Sequence, residues 1–285
     1  MAEPVVVTPG EDVVEVRGLR KSFDGVPVLE GVDLSVRRGE TMAIIGSSGC
    51  GKSTVLRHLI GAYRPDAGSV WVLGTEMASA PDEEMDKVRV RFGTLFQTGA
   101  LYNSMSVGEN VALPLREHTQ LDEKIIGIIV KMKLELVGLR GFEHLKPSQV
   151  SGGMAKRVGL ARAIVLDPEI LFYDEPTTGL DPITAGVINK LIMDLSKKLG
   201  VTSVVVTQDM NCAFTVADRV AMLFRGKVQT VDTPDAVRRS ADPVVRQFVR
   251  GEPDGPIPLQ RSSRDYAEDL LGSAVRGGGR PRPGS

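Results

Sequence analysis

Apolar and polar positions divide this chain into stretches of two periods. Residues 12–45 alternate in the manner of short β-rich segments, with turn signals at Asp24-Gly25 and Arg38-Gly39. Glu40–Ile45 (ETMAII) reads as a buried strand. A helix follows over Ser53–Leu59, its apolar side carrying Val55, Leu56 and Leu59. Phe92–Phe96 is again strand-like. From about 98 to 160 the period lengthens: Ser106-Val107-Gly108-Glu109 is a capping-box sequence opening a short helix, Leu121–Val137 is a longer amphipathic stretch, and Met154–Leu166 is a third helix. Strand and helix then alternate through Glu169–Tyr173, Pro182–Leu199, Thr202–Val206 and Arg219–Val231. Pro182–Leu199 carries apolar Ile183, Val187, Leu191, Leu195 and Leu199 at helical spacing. No internal repeat breaks this order, which predicts an α/β fold with a helical insert.

The loop between Glu40–Ile45 and Ser53–Leu59 carries the first chemistry. It reads Gly46-Ser47-Ser48-Gly49-Cys50-Gly51-Lys52-Ser53-Thr54, the G-x-x-x-x-G-K-[ST] pattern of a P-loop. Its glycines let backbone N–H groups turn inward, and these converge at a helix N-terminus to make an anion site. Lys52 adds a point charge for β- and γ-phosphates, and the Ser53 hydroxyl is placed to ligate Mg²⁺. Strand, loop and helix stand in the order that a nucleotide triphosphate requires. The loop alone also fits kinases, GTPases and many other ATPases.

Glu169–Tyr173 ends in the acidic pair Asp174-Glu175. Ligands of doubly wound sheets bind beyond the carboxyl ends of the strands, so both acids are expected beside the phosphates. Asp174 would hold Mg²⁺ through water, and Glu175 would polarise the attacking water as general base. Upstream, Ser151-Gly152-Gly153 opens a helix, so its N–H groups and positive dipole end face an anion.

The order phosphate loop, Gln97, Ser151-Gly152-Gly153, Asp174-Glu175, Asp181 resembles the nucleotide-binding domain of ABC ATPases over residues 12–240. That resemblance implies a P-loop NTPase core with an N-terminal β-rich subdomain and an inserted α-helical subdomain over about 98–160. It implies ATP and Mg²⁺ as cofactors. Phe23 matches the aromatic that stacks on adenine, with Val28 beside it. Gln97 matches the glutamine that touches Mg²⁺ and reports to a membrane partner. Ser151 and Gly153 match the signature residues that reach the γ-phosphate of a second copy, and Asp181 matches the loop linking the two sites. A homodimer sandwiching two nucleotides is the expected working form.

Two positions depart from the wider pattern. The fifth signature position is Met154, which cannot hydrogen-bond a ribose or phosphate. Gln208, in Val206-Thr207-Gln208-Asp209, stands where the family usually carries a histidine against the γ-phosphate. The chain has three histidines, His58, His118 and His144, and none falls at that position. A glutamine can donate one hydrogen bond to phosphate or orient water, but it carries no positive charge and shuttles no proton. Either Glu175 sustains hydrolysis at a reduced rate, or the site binds ATP and turns over very slowly.

Composition is compatible. With 285 residues and 42% hydrophobic content the chain can bury one substantial α/β core and a smaller subdomain. A net charge of −1 with interspersed signs suggests no nucleic-acid surface. Cys50 and Cys212 are the only cysteines and give no disulfide framework, which fits a reducing cytosol. The start MAEPVVVTPGEDVV lacks the pattern of a signal peptide, and Ile125–Leu139 is broken by Lys131, Lys133 and Glu135, so no spanning segment is expected. His118 and His144 are read in polar loops of the insert, His58 as packing at the end of the phosphate helix, and Trp71 as half-buried packing in Ser69–Leu73.

Gln97–Ser106 is where the family receives the coupling helix of an integral membrane permease; Leu101, Tyr102 and Met105 would either form that groove or pack inside the subdomain. The continuation Val107–Thr119 is similar to the Mla-type ATPases of bacterial lipid transporters that work with MCE-domain proteins, where methionine at position 154 is also usual. The resemblance extends into the C-terminal extension, residues 241–271. Asp242–Gly251 reads as a helix with Val245, Phe248 and Val249 on one face, followed by Glu252–Pro258. In that family this tail strengthens the dimer; the alternative is a frayed end. Arg264–Leu271 has room for one or two helical turns, and 272–285 is expected to be disordered. The function implied is an ATP-hydrolysing subunit at the cytoplasmic face of the bacterial inner membrane, with phospholipid or another lipid as cargo. Transport of another hydrophobic substrate, a soluble ABC-type ATPase and a slow nucleotide switch remain as alternatives.

Overall fold

The computed structural model describes residues 11–257. In chain order its elements are β1 (Asp12–Phe23), β2 (Val26–Arg37), β3 (Thr41–Ile45), α1 (Lys52–Leu59), β4 (Ala67–Val72), β5 (Thr75–Glu76), α2 (Asp82–Arg89), β6 (Phe92–Leu95), α3 (Val107–His118), α4 (Glu123–Leu136), α5 (Gly152–Ala163), β7 (Ile170–Asp174), α6 (Pro182–Leu199), β8 (Thr202–Val206), α7 (Met210–Val216), β9 (Arg219–Phe224), β10 (Lys227–Asp232), α8 (Pro234–Arg238) and α9 (Pro243–Arg250). The last helix is the expected one, with Val245 fully buried. The readings for 258–285, including Arg264–Leu271 and the tail, lie outside the described residues.

Two sheets form. An antiparallel sheet runs β2-β1-β4-β5, and a six-stranded sheet runs β10-β9-β3-β8-β7-β6. Within the second, β9, β3, β8, β7 and β6 are parallel, and β10 closes one edge antiparallel. Its central strands are apolar on both faces because both faces are covered. Met42, Ile44, Ile170, Phe172, Val204 and Val206 face a core shared with α1 and the antiparallel sheet. Their neighbours Leu171, Tyr173 and Val205 face a second core shared with α3, α4, α5 and α6. Ala43 and Ile45 face a third, smaller one that includes Val237 and Val245.

Some expectations change in detail. The β-rich start is two 12-residue strands, β1 and β2, joined at Asp24-Gly25, rather than several short ones. The run Arg219–Val231 divides at Arg225-Gly226 into the hairpin β9–β10. His118 ends α3 rather than lying in a loop. The capping box is present: Ser106 Oγ accepts from Glu109 N at 3.1 Å, and the Glu109 carboxylate accepts from Ser106 N at 2.5 Å. The apolar spacing of α6 does not by itself name its buried face. Ile183 is 82% exposed, and Val187 and Leu199 are also exposed, while Ala185, Ile188, Ile192 and Leu195 are buried. The apolar positions at four-residue spacing therefore divide: Leu195 is in the core and Leu191 packs against it, while Ile183, Val187 and Leu199 face outward. No described helix is long and apolar enough to cross a membrane.

Candidate nucleotide site

The carboxyl ends of four neighbouring parallel strands build the site. Register places Ile44 of β3 opposite Val206 of β8, Val206 opposite Asp174 of β7, and Tyr173 opposite Leu95 of β6. The loops after β3, β8, β7 and β6 therefore emerge level with one another. They carry the phosphate loop, Gln208, Glu175 and Gln97. Because β8 inserts between β3 and β7, Gln208 lies between the phosphate loop and the acidic pair. The cavity there, about 440 Å³, is lined by Phe23, Val28, Ser48, Gly49, Gly51, Lys52, Ser53, Thr54, Gln97, Glu175 and Gln208.

Glycine is required in the loop for packing as well as for dihedrals. At Gly46 a Cβ would run into the carbonyl of Leu223 and the Cys50 sulfur; at Gly51, φ +106°, it would meet Leu29 and the Val28 carbonyl. Lys52 is 7% exposed, and its ammonium donates to the carbonyls of Gly46 at 2.8 Å and Ser47 at 3.1 Å. The Cys50 side chain turns into the core, and burial pushes its thiol pKa up, so only its backbone can serve the cavity. Ser53 Oγ donates to Asp174 Oδ1 at 3.3 Å. Burial raises the Asp174 pKa, a hydrogen bond from Ser53 opposes this, and the Glu175 charge adds to the rise.

Glu175 is buried, with its backbone in the left-handed region at φ +48°. Three donors reach the same carboxylate oxygen, Oε2: the Thr178 hydroxyl at 2.9 Å, the Thr207 hydroxyl at 3.4 Å and the Gln208 N–H at 3.4 Å. Oε1 is left for a further donor such as water. Its own N–H donates to the Val206 carbonyl at 2.9 Å, tying the acidic turn to β8.

Phe23 is held edge-on by Tyr63, with ring centroids 5.4 Å apart, and remains 37% exposed. Tyr63 in turn packs on His58, which is buried and donates from Nδ1 to the Thr54 carbonyl at 2.7 Å. Tyr63, Thr178 and Thr207 escaped sequence reasoning. Only Thr178 carried a signal, three residues beyond a candidate base.

Ser151, Gly152, Gly153 and Asp181 do not line this cavity. Ser151 caps α5, accepting from Met154 N at 3.2 Å, and stays exposed with Gly152. Gly153 is buried against Thr184 of α6, where a Cβ would clash with the threonine methyl. Asp181 caps α6 through the N–H groups of Ile183 and Thr184, and its pKa is held down first by the Thr184 hydroxyl and then by the Thr184 and Ile183 N–H groups. A larger groove of about 780 Å³ lies along the outer side of α4, near Met132 and Leu136, far from this chemistry.

The oxygen set Ser53, Asp174 and Gln97 suits a hard cation that keeps waters and shares phosphate oxygens, as Mg²⁺ does. Among the described residues no cluster forms an all-protein metal cage.

Sheet order, phosphate loop and acidic turn together define an ATPase of the ATP-binding cassette class. The family described as ABC transporter matches residues 29–178, and the chain belongs to that family. It is 45% identical over 260 residues to the intermembrane phospholipid transport system ATP-binding protein MlaF of Escherichia coli strain K12, covering 91% of this chain and 94% of that protein. It is 46% identical over 246 residues to the probable ribonucleotide transport ATP-binding protein mkl of Mycobacterium leprae, covering 86% of this chain and 71% of that protein. Among solved structures, a dimeric ATP-binding cassette in a post-hydrolysis state with ADP and Pi superposes with a TM-score of 0.72 and 31% identity. The match covers 78% of this chain and 98% of that one.

Proposed function

We propose that this chain is the ATP-hydrolysing subunit of a bacterial phospholipid transporter, working as a homodimer on an integral membrane permease at the cytoplasmic face of the inner membrane. The observation that carries the catalytic reading is Glu175. Its carboxylate is anchored through one oxygen and free at the other, on the wall of a cavity that also holds Lys52 and Ser53. ATP would lie with its adenine on Phe23 beside Val28. Its phosphates would rest on the N–H groups of Gly46 to Thr54 and on the Lys52 ammonium. Mg²⁺, held by Ser53, Gln97 and, through water, Asp174, would neutralise charge on the transferred phosphoryl group. Glu175 Oε1 would take the proton of the attacking water, with Gln208 orienting that water from the neighbouring strand. Ser151–Gly153 and Asp181, absent from the cavity of their own chain, would complete the cavity of a second copy. A triphosphate would thus close the dimer and hydrolysis would release it.

Residues 12–240 form the ATPase in this reading, with 98–160 as its helical subdomain, whose helices α3, α4 and α5 gather in the second core against the sheet; the extension from 241 packs on the third core through Val245. The permease contact is proposed at the groove of about 350 Å³ between Phe96, Tyr102, Leu113 and Pro114. Tyr102 is 53% exposed there, whereas Leu101 packs partly on the core. The near end-to-end match to MlaF supports phospholipid as cargo; an MCE-domain protein as a further partner rests on the resemblance of Val107–Thr119 to Mla-type ATPases. The similar identity to mkl favours a second reading in which the cargo is a ribonucleotide. Purifying the chain with its permease and analysing the extract tests both. Phospholipid retained by the complex and ATP turnover stimulated in vesicles are expected; bound nucleotide cargo without lipid would favour the second reading.

A further inference from the structure

Lys156 lies in the second turn of α5 with 4% of its surface exposed. Its ammonium donates to three main-chain carbonyls: Glu175 at 3.2 Å, Pro176 at 2.9 Å and Thr178 at 2.7 Å. An ammonium has three N–H donors, and here all three are used on one turn. Burying a charge is costly when no carboxylate is bonded to it, and burial accordingly lowers the Lys156 pKa, with the nearby Glu175 charge opposing. The turn it grips is strained: Glu175 sits at φ +48°, in the left-handed region that a Cβ disfavours. Thr178, gripped through its carbonyl, is also the residue whose hydroxyl holds Glu175 Oε2 at 2.9 Å. Lys156 thus fixes both the backbone that carries the carboxylate and the side chain that orients it. It also belongs to the helix capped by Ser151, five residues and about 7 Å earlier along the axis.

We infer that Lys156 is a positioning residue for hydrolysis, a clamp that holds the Glu175 turn in fixed relation to the helix α5 that carries Ser151–Gly153. The inference rests on the reading of Glu175 as the base. Seating α5 against a nucleotide held by a second copy would, through this clamp, act on the carboxylate of its own chain. No titration is involved; the ammonium serves as a three-pronged donor.

The test is steady-state ATP hydrolysis by the purified full-length chain and its variants Lys156→Met and Lys156→Gln, with Glu175→Gln beside them. Thermal unfolding and ATP-driven dimerisation are followed in parallel, the latter in a Glu175→Gln background. Misplacing a base by about 1 Å costs on the order of 10²-fold in rate. Lys156→Met, with no donor, is expected to lose that much in kcat, and Lys156→Gln, with two donors, about tenfold. KM for ATP should stay within about twofold of the parent in both, since the phosphate loop is untouched, and dimerisation should persist. If the methionine variant fails to fold, the glutamine variant carries the same test. Parental kcat in a folded variant overturns the inference, as does a kcat loss matched by lost ATP binding or lost dimerisation. Glu175→Gln separates the two readings. Its inactivity beside a parental Lys156→Gln sinks the lysine clamp alone, whereas parental turnover in Glu175→Gln sinks the base assignment itself.

Discussion

The Ser53 hydroxyl donates to Asp174 Oδ1 at 3.3 Å, joining the first turn of α1 to the end of β7 across 121 residues of chain. Burial raises the Asp174 pKa above its ordinary value. An acid whose folded pKa is raised binds its proton more tightly when folded. Its contribution to stability is therefore full below the unfolded pKa and lost as pH rises through the raised value. At neutral pH the ionised carboxylate is a burden on the free protein. Asp174→Asn should melt higher than the parent at pH 7.5 without nucleotide, by about 1–3 °C, while losing Mg²⁺-dependent turnover. A lower melting temperature for the variant would contradict this account of the burial.

Glu175→Gln keeps the side-chain shape and can still meet Thr178 and Thr207, but it cannot take a proton from water. Turnover should fall by about 10²–10⁴-fold, with ATP binding retained. Equilibrium binding and hydrolysis measured on the same preparation separate the two effects.

Gln208 lines the same cavity as the phosphate loop and Glu175 and has no charge to offer. Gln208→His should raise kcat, by about tenfold or more if the imidazole reaches the γ-phosphate, with Lys52→Ala as the background. Unchanged or reduced turnover in the histidine variant would mean that the site is tuned to glutamine.

Cys50 and Cys212 are both buried, and burial pushes the Cys212 thiol up to about 12. Thiol reagents act on the thiolate. The folded protein at pH 8 should therefore react slowly at both positions, and both should become reactive in denaturant. Rapid labelling of Cys50 in the native protein would show that the phosphate loop opens.

Gly93 of β6 lies against the Ala163 carbonyl at the end of α5, where a Cβ would overlap backbone. Gly93→Ala should destabilise by about 1–3 kcal/mol through overpacking, read from denaturant unfolding, and should disturb the placement of Gln97 downstream. A neutral effect would mean that β6 and α5 can separate at little cost.

Much of the site was legible in sequence because local chemistry dictates it. Gly46–Ser53 between an apolar strand and an amphipathic helix admits few conformations, and an acidic pair after a strand-type run must emerge at the sheet's carboxyl edge. The same holds for Ser106–Glu109 and Ser151, whose side chains cap the helices that follow them. What failed was information carried by neighbours distant in sequence. In α6, Ile183, Val187 and Leu199 look as apolar as Ile188 and Ile192, and only packing on the sheet and α7 decided which of them are buried. Nothing in the local sequence marks Lys156, yet the approach of the 175–178 turn makes it a buried donor.

The sequence by itself determined the phosphate loop, the acidic turn, the Ser106 capping box and the strands and helices that carry them, because each depends on residues within a few positions of one another. The tertiary structure decided the strand order that sets Gln208 between Lys52 and Glu175, the three donors on Glu175 Oε2, and the side of α6 that is buried. Those depend on which surfaces meet, and side chains far apart in the chain compete for the same buried space until the fold allots it.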